Sequence, residues 1–213
     1  MIVPRFHHST APADCQAGER EAEVPDYAAR TGIPFPDGDA GSFPGTLRSA
    51  TCCFTGHRTI PPERLEHVRE KTSHVLDVLI RAGYCWFMAG GALGYDMLAE
   101  RMVTEKRKEN PGIRLILALP CRDQTGKWLK MPKELGAESI REYQELKGLA
   151  DRIIYVSDFY TEGCMRERNR FMVEHASFCV ACYDSSLKNG RSGAGQTFRM
   201  AQRAGLKIYN CWD

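Results

Sequence analysis

The chain has 213 residues, enough for one domain with a full hydrophobic core plus an extension. Its 29 Lys and Arg residues nearly balance its 27 Asp and Glu residues. The net charge therefore does not favour a protein that coats nucleic acid, but it does not exclude a local basic groove. No apolar run approaches the roughly 20 residues that span a bilayer, so we predict no membrane partner. Most of the nine cysteines lie inside apolar runs, which predicts buried thiols in a reducing cytoplasm rather than a disulfide framework.

Residues 1–48 differ from the rest of the chain. They are rich in Pro, Gly, Ala, Asp and Ser, show no sustained hydrophobic period, and lack the apolar core of a secretion signal. We predict an irregular N-terminal arm, disordered or loosely attached, ahead of one domain over residues 49–213. His7 and His8 lie in this arm, where a solvent-exposed pair is the commoner explanation, so we assign the arm no metal site and no chemistry.

From Ala50 onwards, short apolar runs alternate with segments of helical period. The runs predict strands at Thr51–Thr55, Tyr84–Ala89, Ile113–Leu119, Arg152–Val156, Ser177–Tyr183 and Lys207–Asn210. The periodic segments predict five helices. The first opens at Pro61 and Pro62, and its buried stripe consists of Leu65, Val68, Val75, Leu76 and Leu79. The second ends near Lys108, and the others cover Glu138–Leu149, Met165–His175 and Gln196–Ala204. Strands separated by helices imply right-handed crossovers, and hence a Rossmann-like, three-layer α/β domain with a mainly parallel sheet.

Three glycine-containing loops follow predicted strands at their carboxyl ends. They are Thr55–Arg58 (TGHR), Gly90–Asp96 (GGALGYD) and Gly190–Thr197 (GRSGAGQT). Ligands of doubly wound sheets bind beyond the carboxyl ends of the strands, so we expect the loops to converge on one crevice. Glycines let the backbone approach a ligand closely, and a helix N-terminus offers unpaired N–H groups to an anion.

Two charged side chains in these loops have functional and structural interpretations. Arg58 either pairs with a phosphate through its planar guanidinium or forms a surface ion pair. Asp96, in the first turn of its helix, either accepts from ribose hydroxyls or caps the helix N-terminus. None of the loops matches G-x-G-x-x-G or the Walker pattern, so neither an ordinary NAD site nor a P-loop ATPase is indicated, and we predict no cofactor.

Two further pairs of residues invite a functional interpretation. Cys179 and Cys182 have the spacing of a redox or zinc pair, but residues three apart on a strand point to opposite faces, which favours the core and leaves no predicted metal site. Trp128 and Tyr160 lie in loops after strands, where they either stack on a base or cover the edge of the core.

Five segments taken in order resemble a known family. They are CCFTGHR, GGALGYD, RLILALPC followed by Gln124 and Trp128, RERNRFMVEHASFCVACYD, and SGAGQTFRMAQRAG. Together they resemble the YpsA-like members of the SLOG superfamily, which also includes the LOG-type nucleoside-monophosphate phosphoribohydrolases and the Smf/DprA DNA-processing proteins. The resemblance covers about Ala50 to the C-terminus. It implies a Rossmann-like domain that binds a nucleotide or nucleotide-derived small molecule, and it suggests a homodimer, which no sequence feature specifies.

The resemblance also assigns ligand-binding residues. It assigns Gly56, His57 and Arg58 to a first phosphate-side loop, Gly90, Gly91, Gly94 and Asp96 to a second, and Arg168 with Asn169 to the helix facing the site. Ser192, Gly193 and Ala194 stand where relatives carry Gly-Gly-Thr. This departure removes one hydroxyl hydrogen bond to a phosphate, for which Ser192 partly compensates, while Gly193 still allows close backbone approach.

A second departure bears on catalysis. LOG enzymes carry G-G-x-G-T-x-x-E, with the glutamate acting at the ribose–base bond, whereas this chain has Gln196 at the threonine and Arg199 at the glutamate. A guanidinium cannot replace a carboxylate in that role, and nothing places Asp96 or Glu100 at a scissile bond, so the catalytic residues stay unknown. Binding or sensing of a nucleotide derivative is therefore the leading hypothesis. A hydrolase of an N-glycosidic or phosphate bond is the alternative, and DNA binding is disfavoured by the near-neutral charge.

Overall fold

A seven-stranded sheet, entirely parallel, forms the centre of the fold. A computed structural model describes residues 37–39, 45–186 and 192–213. The strands are β1 (Asp37–Asp39), β2 (Thr51–Gly56), β3 (Trp86–Ala89), β4 (Arg114–Leu119), β5 (Arg152–Tyr155), β6 (Phe178–Cys182) and β7 (Lys207–Asn210). Their order across the sheet is β1-β5-β4-β3-β2-β6-β7.

Helices cover both faces of the sheet. They are α1 (Pro62–Arg81), α2 (Tyr95–Arg107), α3 (Lys133–Leu149), α4 (Cys164–Glu174) and α5 (Gly193–Arg203), with 3₁₀ helices at Gly45–Ala50 and Gln124–Lys130. The apolar sides of α1, α2 and α3 form one core on one face, and those of α4 and α5 form a second core on the other. The result is the three-layer α/β arrangement that the alternating pattern predicts.

The order of the strands reverses at β2. From β2 the chain moves outward through β3, β4 and β5, and then α4 brings it back to place β6 and β7 on the other side of β2. The register pairs Gly56 of β2 with Cys182 of β6 at the carboxyl ends of both strands. Helices leave these two strands towards opposite faces, so a crevice opens between their carboxyl ends.

The predicted α/β class with its mainly parallel sheet is confirmed, and each predicted strand is present. Cys179 and Cys182 are buried in different cores on opposite faces, as the strand period requires. Leu65 was expected in the buried stripe of α1 but is 40% exposed, because it lies in the first turn, ahead of the buried residues that begin at Val68.

The cysteines of the described residues mostly follow the prediction of buried thiols. Buried and free are Cys52, Cys53, Cys121, Cys164, Cys179, Cys182 and Cys211. Cys85 is also buried but departs from the prediction because it is disulfide-bonded. In the part of the chain that the structure describes, no helix is long and apolar enough to cross a membrane.

Two short elements precede the predicted start of the domain. β1 pairs in parallel with β5 through its backbone, and the Gly45–Ala50 helix buries Leu47 in the second core. Neither element has a hydrophobic period long enough to predict it from sequence. His7 and His8 lie outside the described residues, and the boundary at residue 48 stays a prediction.

Candidate functional site

A cavity of about 410 Å³ lies at the carboxyl ends of β2 and β6. Residues from all three glycine-containing loops line it: Thr55, Gly56, His57 and Arg58 from the first, Ala92 and Asp96 from the second, and Ser192, Gly193, Ala194 and Thr197 from the third. The cavity therefore occupies the topological switch point, where ligands of doubly wound sheets bind. Gly190 and Arg191, which begin the third predicted loop, lie outside the described residues.

Helix α4 forms the remaining wall of the cavity. Met165, Arg168, Asn169 and Met172 line it, and their spacing places all four on one face of the helix. The two methionines supply apolar surface, whereas Arg168 and Asn169 supply polar groups. Cavities with apolar walls and a few convergent polar groups are typical of small-molecule sites.

Arg168 is a buried part of the cavity wall, and its guanidinium is hydrogen-bonded. Its Nη1 donates to the carbonyl oxygen of Gly90, and its Nε donates to Oδ1 of Asn169 at 2.8 Å. Burial lowers the pKa of Arg168, and the neighbouring acidic side chains, Asp96 first, oppose this shift. Arg168 thus links α4 to the loop after β3.

Asp96, in the first turn of α2, bonds to the loop before its helix and lines the cavity. Its Oδ2 accepts from the N–H of Ala92 at 3.4 Å, which lies ahead of the helix, while its position suits a carboxylate at the positive end of the helix dipole. As an acceptor for ribose hydroxyl groups, Asp96 stays a prediction. Burial raises the pKa of Asp96, while Arg168 and backbone N–H groups lower it. A buried carboxylate on the wall can accept from ligand hydroxyl groups.

Two glycines of the second loop are required by close packing. A Cβ at Gly90 would overlap the Arg168 guanidinium, and a Cβ at Gly94 would overlap the backbone of His57 and Arg58. Gly94 also has φ +81°, a conformation that side-chain-bearing residues rarely adopt. Gly90 therefore admits the Arg168 side chain of α4, and Gly94 admits the backbone of the first loop. As ligand contacts, both glycines stay predictions.

Gly91 is bonded on both sides to side chains that sequence reasoning left without a role. Its N–H donates to Oε1 of Glu100 at 3.0 Å, and its C=O accepts from Nε2 of Gln124. Ala92 and Asp96 are the residues of this loop that line the cavity. Gly91 and its two partners are not part of the lining and lie behind it. The presence of Glu and Gln near a glycine turn gives no sequence signal for such bonds.

His57 is held in one orientation by backbone groups. Its backbone N–H donates to the Cys182 carbonyl oxygen at 3.1 Å, and its ring Nε2 accepts from the backbone N–H of Asp184 at 2.9 Å. An accepting Nε2 leaves the proton on Nδ1, so the imidazole is neutral. Burial lowers the pKa of His57, and the charge of Asp184 opposes that shift.

Acidification is therefore expected to destabilise the protein through His57. Because the pKa of His57 is lower in the folded than in the unfolded protein, the unfolded state binds more protons as pH falls below about 6.5, and stability is lost. A His57→Gln variant keeps an acceptor for the Asp184 N–H and does not titrate, so it should lose less stability than the parent. Urea unfolding at about pH 7.5 and 5.5 measures the difference, and equal losses in both proteins would contradict the prediction.

The third loop begins α5 with a serine cap. Ser192 Oγ accepts from the N–H of Gly195 at 3.1 Å, and Thr197 Oγ1 donates to the Gly193 carbonyl oxygen at 2.9 Å. An α-helix leaves its first N–H groups without intrahelical partners, and Gly193 and Ala194 at the start of α5 both line the cavity. Arg199, two turns into α5, does not belong to the cavity wall.

Arg58 is exposed at the mouth of the cavity. Among the residues that the structure describes, it forms no ion pair and no side-chain hydrogen bond. The surface ion pair that would explain Arg58 without a ligand is thus not observed within those residues. Within the described ranges, the donors of its guanidinium are thus left for a ligand at the cavity.

The two aromatic residues outside the three loops differ in their surroundings. Trp128 packs edge-on against Tyr143 with ring centroids 5.3 Å apart, at the border of the first core. Tyr160 is 45% exposed, and its backbone N–H donates to Oδ1 of Asp123 at 3.0 Å. Trp128 therefore covers the edge of the core, and neither residue lines the cavity.

A larger groove of about 600 Å³ lies on the surface between α1 and α2. Charged side chains dominate its walls, and Lys106 and Asp77 form an ion pair across it at 2.6 Å. It contains none of the predicted site residues and lies away from the switch point. In the described ranges, no three His, Cys, Asp or Glu side chains are grouped to hold a metal ion.

The fold and the cavity define a Rossmann-like domain with a ligand-sized crevice at its switch point. The chain belongs to the YspA SLOG family, whose family model matches residues 56–210. This confirms the resemblance inferred from the five segments.

Curated relatives and solved structures share parts of this chain. The SPbeta prophage-derived protein YoqJ of Bacillus subtilis (strain 168) is 28% identical over 138 residues, covering 59% of this chain and 77% of that protein. A UPF0398 protein of Bacillus pumilus (strain SAFR-032) is 26% identical over 122 residues, covering 56% of this chain and 62% of that protein. DNA processing protein A from Helicobacter pylori, described for its single-stranded DNA binding mode, aligns with a TM-score of 0.49 and 19% identity over 74% of this chain and 63% of that chain. The chain thus spans less than two thirds of the length of the latter two proteins. The homodimer suggested by the family resemblance stays a prediction.

Proposed function

We propose that the domain binds a nucleotide or nucleotide-derived small molecule in the cavity at the β2–β6 switch point. The observation that carries the proposal is the convergence there of three loops and α4, which bring together an exposed cation, a helix N-terminus and a buried carboxylate. These are the groups that recognise a phosphate and a sugar. The volume of about 410 Å³ falls in the range of ordinary small-molecule sites.

The phosphate is assigned to the N-terminus of α5. The N–H groups of Gly193 and Ala194 and the positive end of the helix dipole favour an anion at this position. Arg58 supplies a guanidinium that can bond two phosphate oxygens at once. Gly193 has open space around its Cα, so the backbone admits close approach of the anion.

The sugar and base are assigned to the rest of the wall. Asp96 is the carboxylate that can accept from ribose hydroxyl groups, and Asn169 of α4 lines the same cavity. Met165 and Met172 offer apolar, adaptable surface to the flat face of a base. This arrangement supports recognition of a nucleoside carrying at least one phosphate.

Binding or sensing is favoured over hydrolysis. Hydrolysis of an N-glycosidic bond by LOG-type chemistry uses a glutamate, and the matching position here is Arg199, which does not line the cavity. Glu100 is bonded to Gly91 behind the wall, which leaves Asp96 as the carboxylate nearest a bound ligand. A hydrolase remains the alternative function, with Asp96 as its candidate acid or base.

Replacing Arg58 by Ala is expected to weaken nucleotide binding by roughly 10- to 100-fold, because a charge-assisted hydrogen bond contributes about 1.5–3 kcal/mol. The fold should be unaffected since Arg58 is exposed. Thermal-shift titration of the parent with AMP, ADP-ribose, NAD, cyclic nucleotides and nucleoside monophosphates identifies a ligand, because binding to the native state raises the melting temperature. Calorimetric titration of that ligand into Arg58→Ala then measures the loss.

Arg203→Ala is the matched control, since Arg203 is exposed at the opposite end of α5 and its removal changes net charge equally. Its affinity should equal that of the parent. Product analysis of the bound ligand separates a sensor from a hydrolase. No thermal shift with any nucleotide, together with salt-dependent retention on single-stranded DNA, would replace this proposal with the DNA-binding function.

A further inference from the structure

Two buried oxygen atoms beside Gly91 have no hydrogen-bond partner within the described part of the chain. They are Oε2 of Glu100 and Oε1 of Gln124. The other polar atom of each side chain is bonded to Gly91. Oε1 of Glu100 accepts from the Gly91 N–H, and Nε2 of Gln124 donates to the Gly91 carbonyl oxygen. Both side chains are buried, at 0% and 6% exposure, so the two atoms are separated from bulk water. Two unsatisfied acceptors therefore flank a single residue.

A proton on Glu100 removes this difficulty. A carboxylate oxygen and an amide oxygen only accept hydrogen bonds, so the two atoms have no attraction while Glu100 is ionised. A neutral carboxyl group gains one O–H donor, and a single hydrogen bond from it to the Gln124 oxygen would satisfy both atoms. Turning the Gln124 amide over is no remedy, because its oxygen would then face the carbonyl oxygen of Gly91.

The charges around Glu100 point in the same direction. Facing it are Asp96 on its own helix, Arg168 on α4, and Glu142 and Tyr143 on α3. Two ionised, buried carboxyl groups would repel each other, and a neutral Glu100 removes that repulsion while Arg168 and Arg58 still stabilise the charge of Asp96. Burial raises the pKa of Glu100 well above its usual value, and the charge of Asp96 raises it further.

We propose that Glu100 is a positioning residue that keeps its proton in the folded protein and donates from Oε2 to Oε1 of Gln124. The resulting ring of hydrogen bonds runs through Glu100, Gln124 and Gly91. The ring ties the turn at Gly91 to Glu100 on α2 and to Gln124 in the segment after β4. It thereby also fixes the adjacent Gly90 carbonyl oxygen, which accepts from Arg168. The inference concerns the free protein and holds whether or not the cavity binds a nucleotide.

The test is the pH dependence of unfolding in the parent and in Glu100→Gln. Glutamine replaces the O–H with an N–H, so the variant retains the ring but does not titrate. A group whose pKa is raised on folding contributes stability below its unfolded pKa and loses it as pH rises towards the folded pKa. The unfolding constant of the parent, divided by that of the variant, should therefore increase about tenfold per pH unit above about pH 5.5.

Glu105→Gln is the matched control, because Glu105 is exposed on the same helix. The unfolding constant of the parent divided by that of Glu105→Gln should change less with pH than the same ratio for Glu100→Gln. A ratio for Glu100→Gln that changes no more than that of the control would overturn the proposal, since it means that Glu100 ionises alike in both states. Carbon-13 NMR of the Glu100 carboxyl carbon in the labelled parent decides the question if the variant does not fold: the resonance of a protonated carboxyl at neutral pH is expected, and that of a carboxylate contradicts the ring.

Discussion

Replacing Arg168 by Met is expected to lower the free energy of unfolding by about 3–5 kcal/mol, the usual cost of removing one member of a buried charge group. The substitution leaves Asp96 without its cation and the Gly90 carbonyl oxygen without its donor. It also frees the Asn169 side chain, whose Oδ1 accepts from Arg168. Urea unfolding at neutral pH measures the loss.

The pH dependence of this loss separates charge from packing. Arg168 lowers the pKa of Asp96, so without it that pKa rises further, and stability falls more as pH rises above the unfolded value of about 3.9. The loss should therefore be larger at about pH 7.5 than at about pH 4.5. Arg166→Met, at an exposed position of α4, should change stability by no more than about 0.5 kcal/mol at either pH. A loss for Arg168→Met that is as small as that of the control would refute the central role given to Arg168.

Gly94→Ala is expected to cost about 3 kcal/mol. A residue with a side chain at φ +81° is strained by about 1–2 kcal/mol. Overlap of the new Cβ with the backbone of His57 and Arg58 adds about 1–3 kcal/mol, because backbone cannot move aside as a flexible side chain can. The first and second loops should separate, so any nucleotide that binds the parent should bind this variant more weakly.

Gly205→Ala isolates the conformational part of that cost. Gly205 has φ +72° at the end of α5, and nothing lies within 4 Å of the position of an added Cβ. Its substitution should therefore cost about 1 kcal/mol and leave ligand affinity unchanged. Chemical denaturation of both variants measures the difference of about 2 kcal/mol, and equal losses would show that packing against the first loop is unimportant.

The sheet was predictable because its strands are buried on both faces. Continuous apolar runs such as Arg114–Leu119 have few alternatives to a central strand. The starts of helices were harder to predict than the strands. Helix α3 begins at Lys133 rather than near Glu138, because its first turn follows Pro132 and has no hydrophobic stripe that would mark it in the sequence. β1 was missed because its three residues pair with β5 through the backbone and have no apolar pattern.

The cavity was predictable in its place but not in its details. Loops that follow parallel strands must emerge at one edge, so Arg58, Asp96 and Ser192 were expected near one another. The sequence does not separate glycines that face a ligand from those that admit a protein group, and Gly90 accommodates Arg168. The buried bonds of Glu100 and Gln124 depend on packing between distant segments, for which local pattern carries no information.

The pairing of β2 with β6 has a consequence for how the protein forms. Cys52–Gly56 pairs with Phe178–Cys182, so the two sides of the cavity come from opposite ends of the domain sequence. Closing so long a loop is slow, and contacts of high sequence separation generally limit folding rates. During synthesis, β2 to β5 are complete while one flank of β2 is still unpaired. We therefore expect the nascent chain to acquire its crevice only after β6 has been made, as one of the last events of folding.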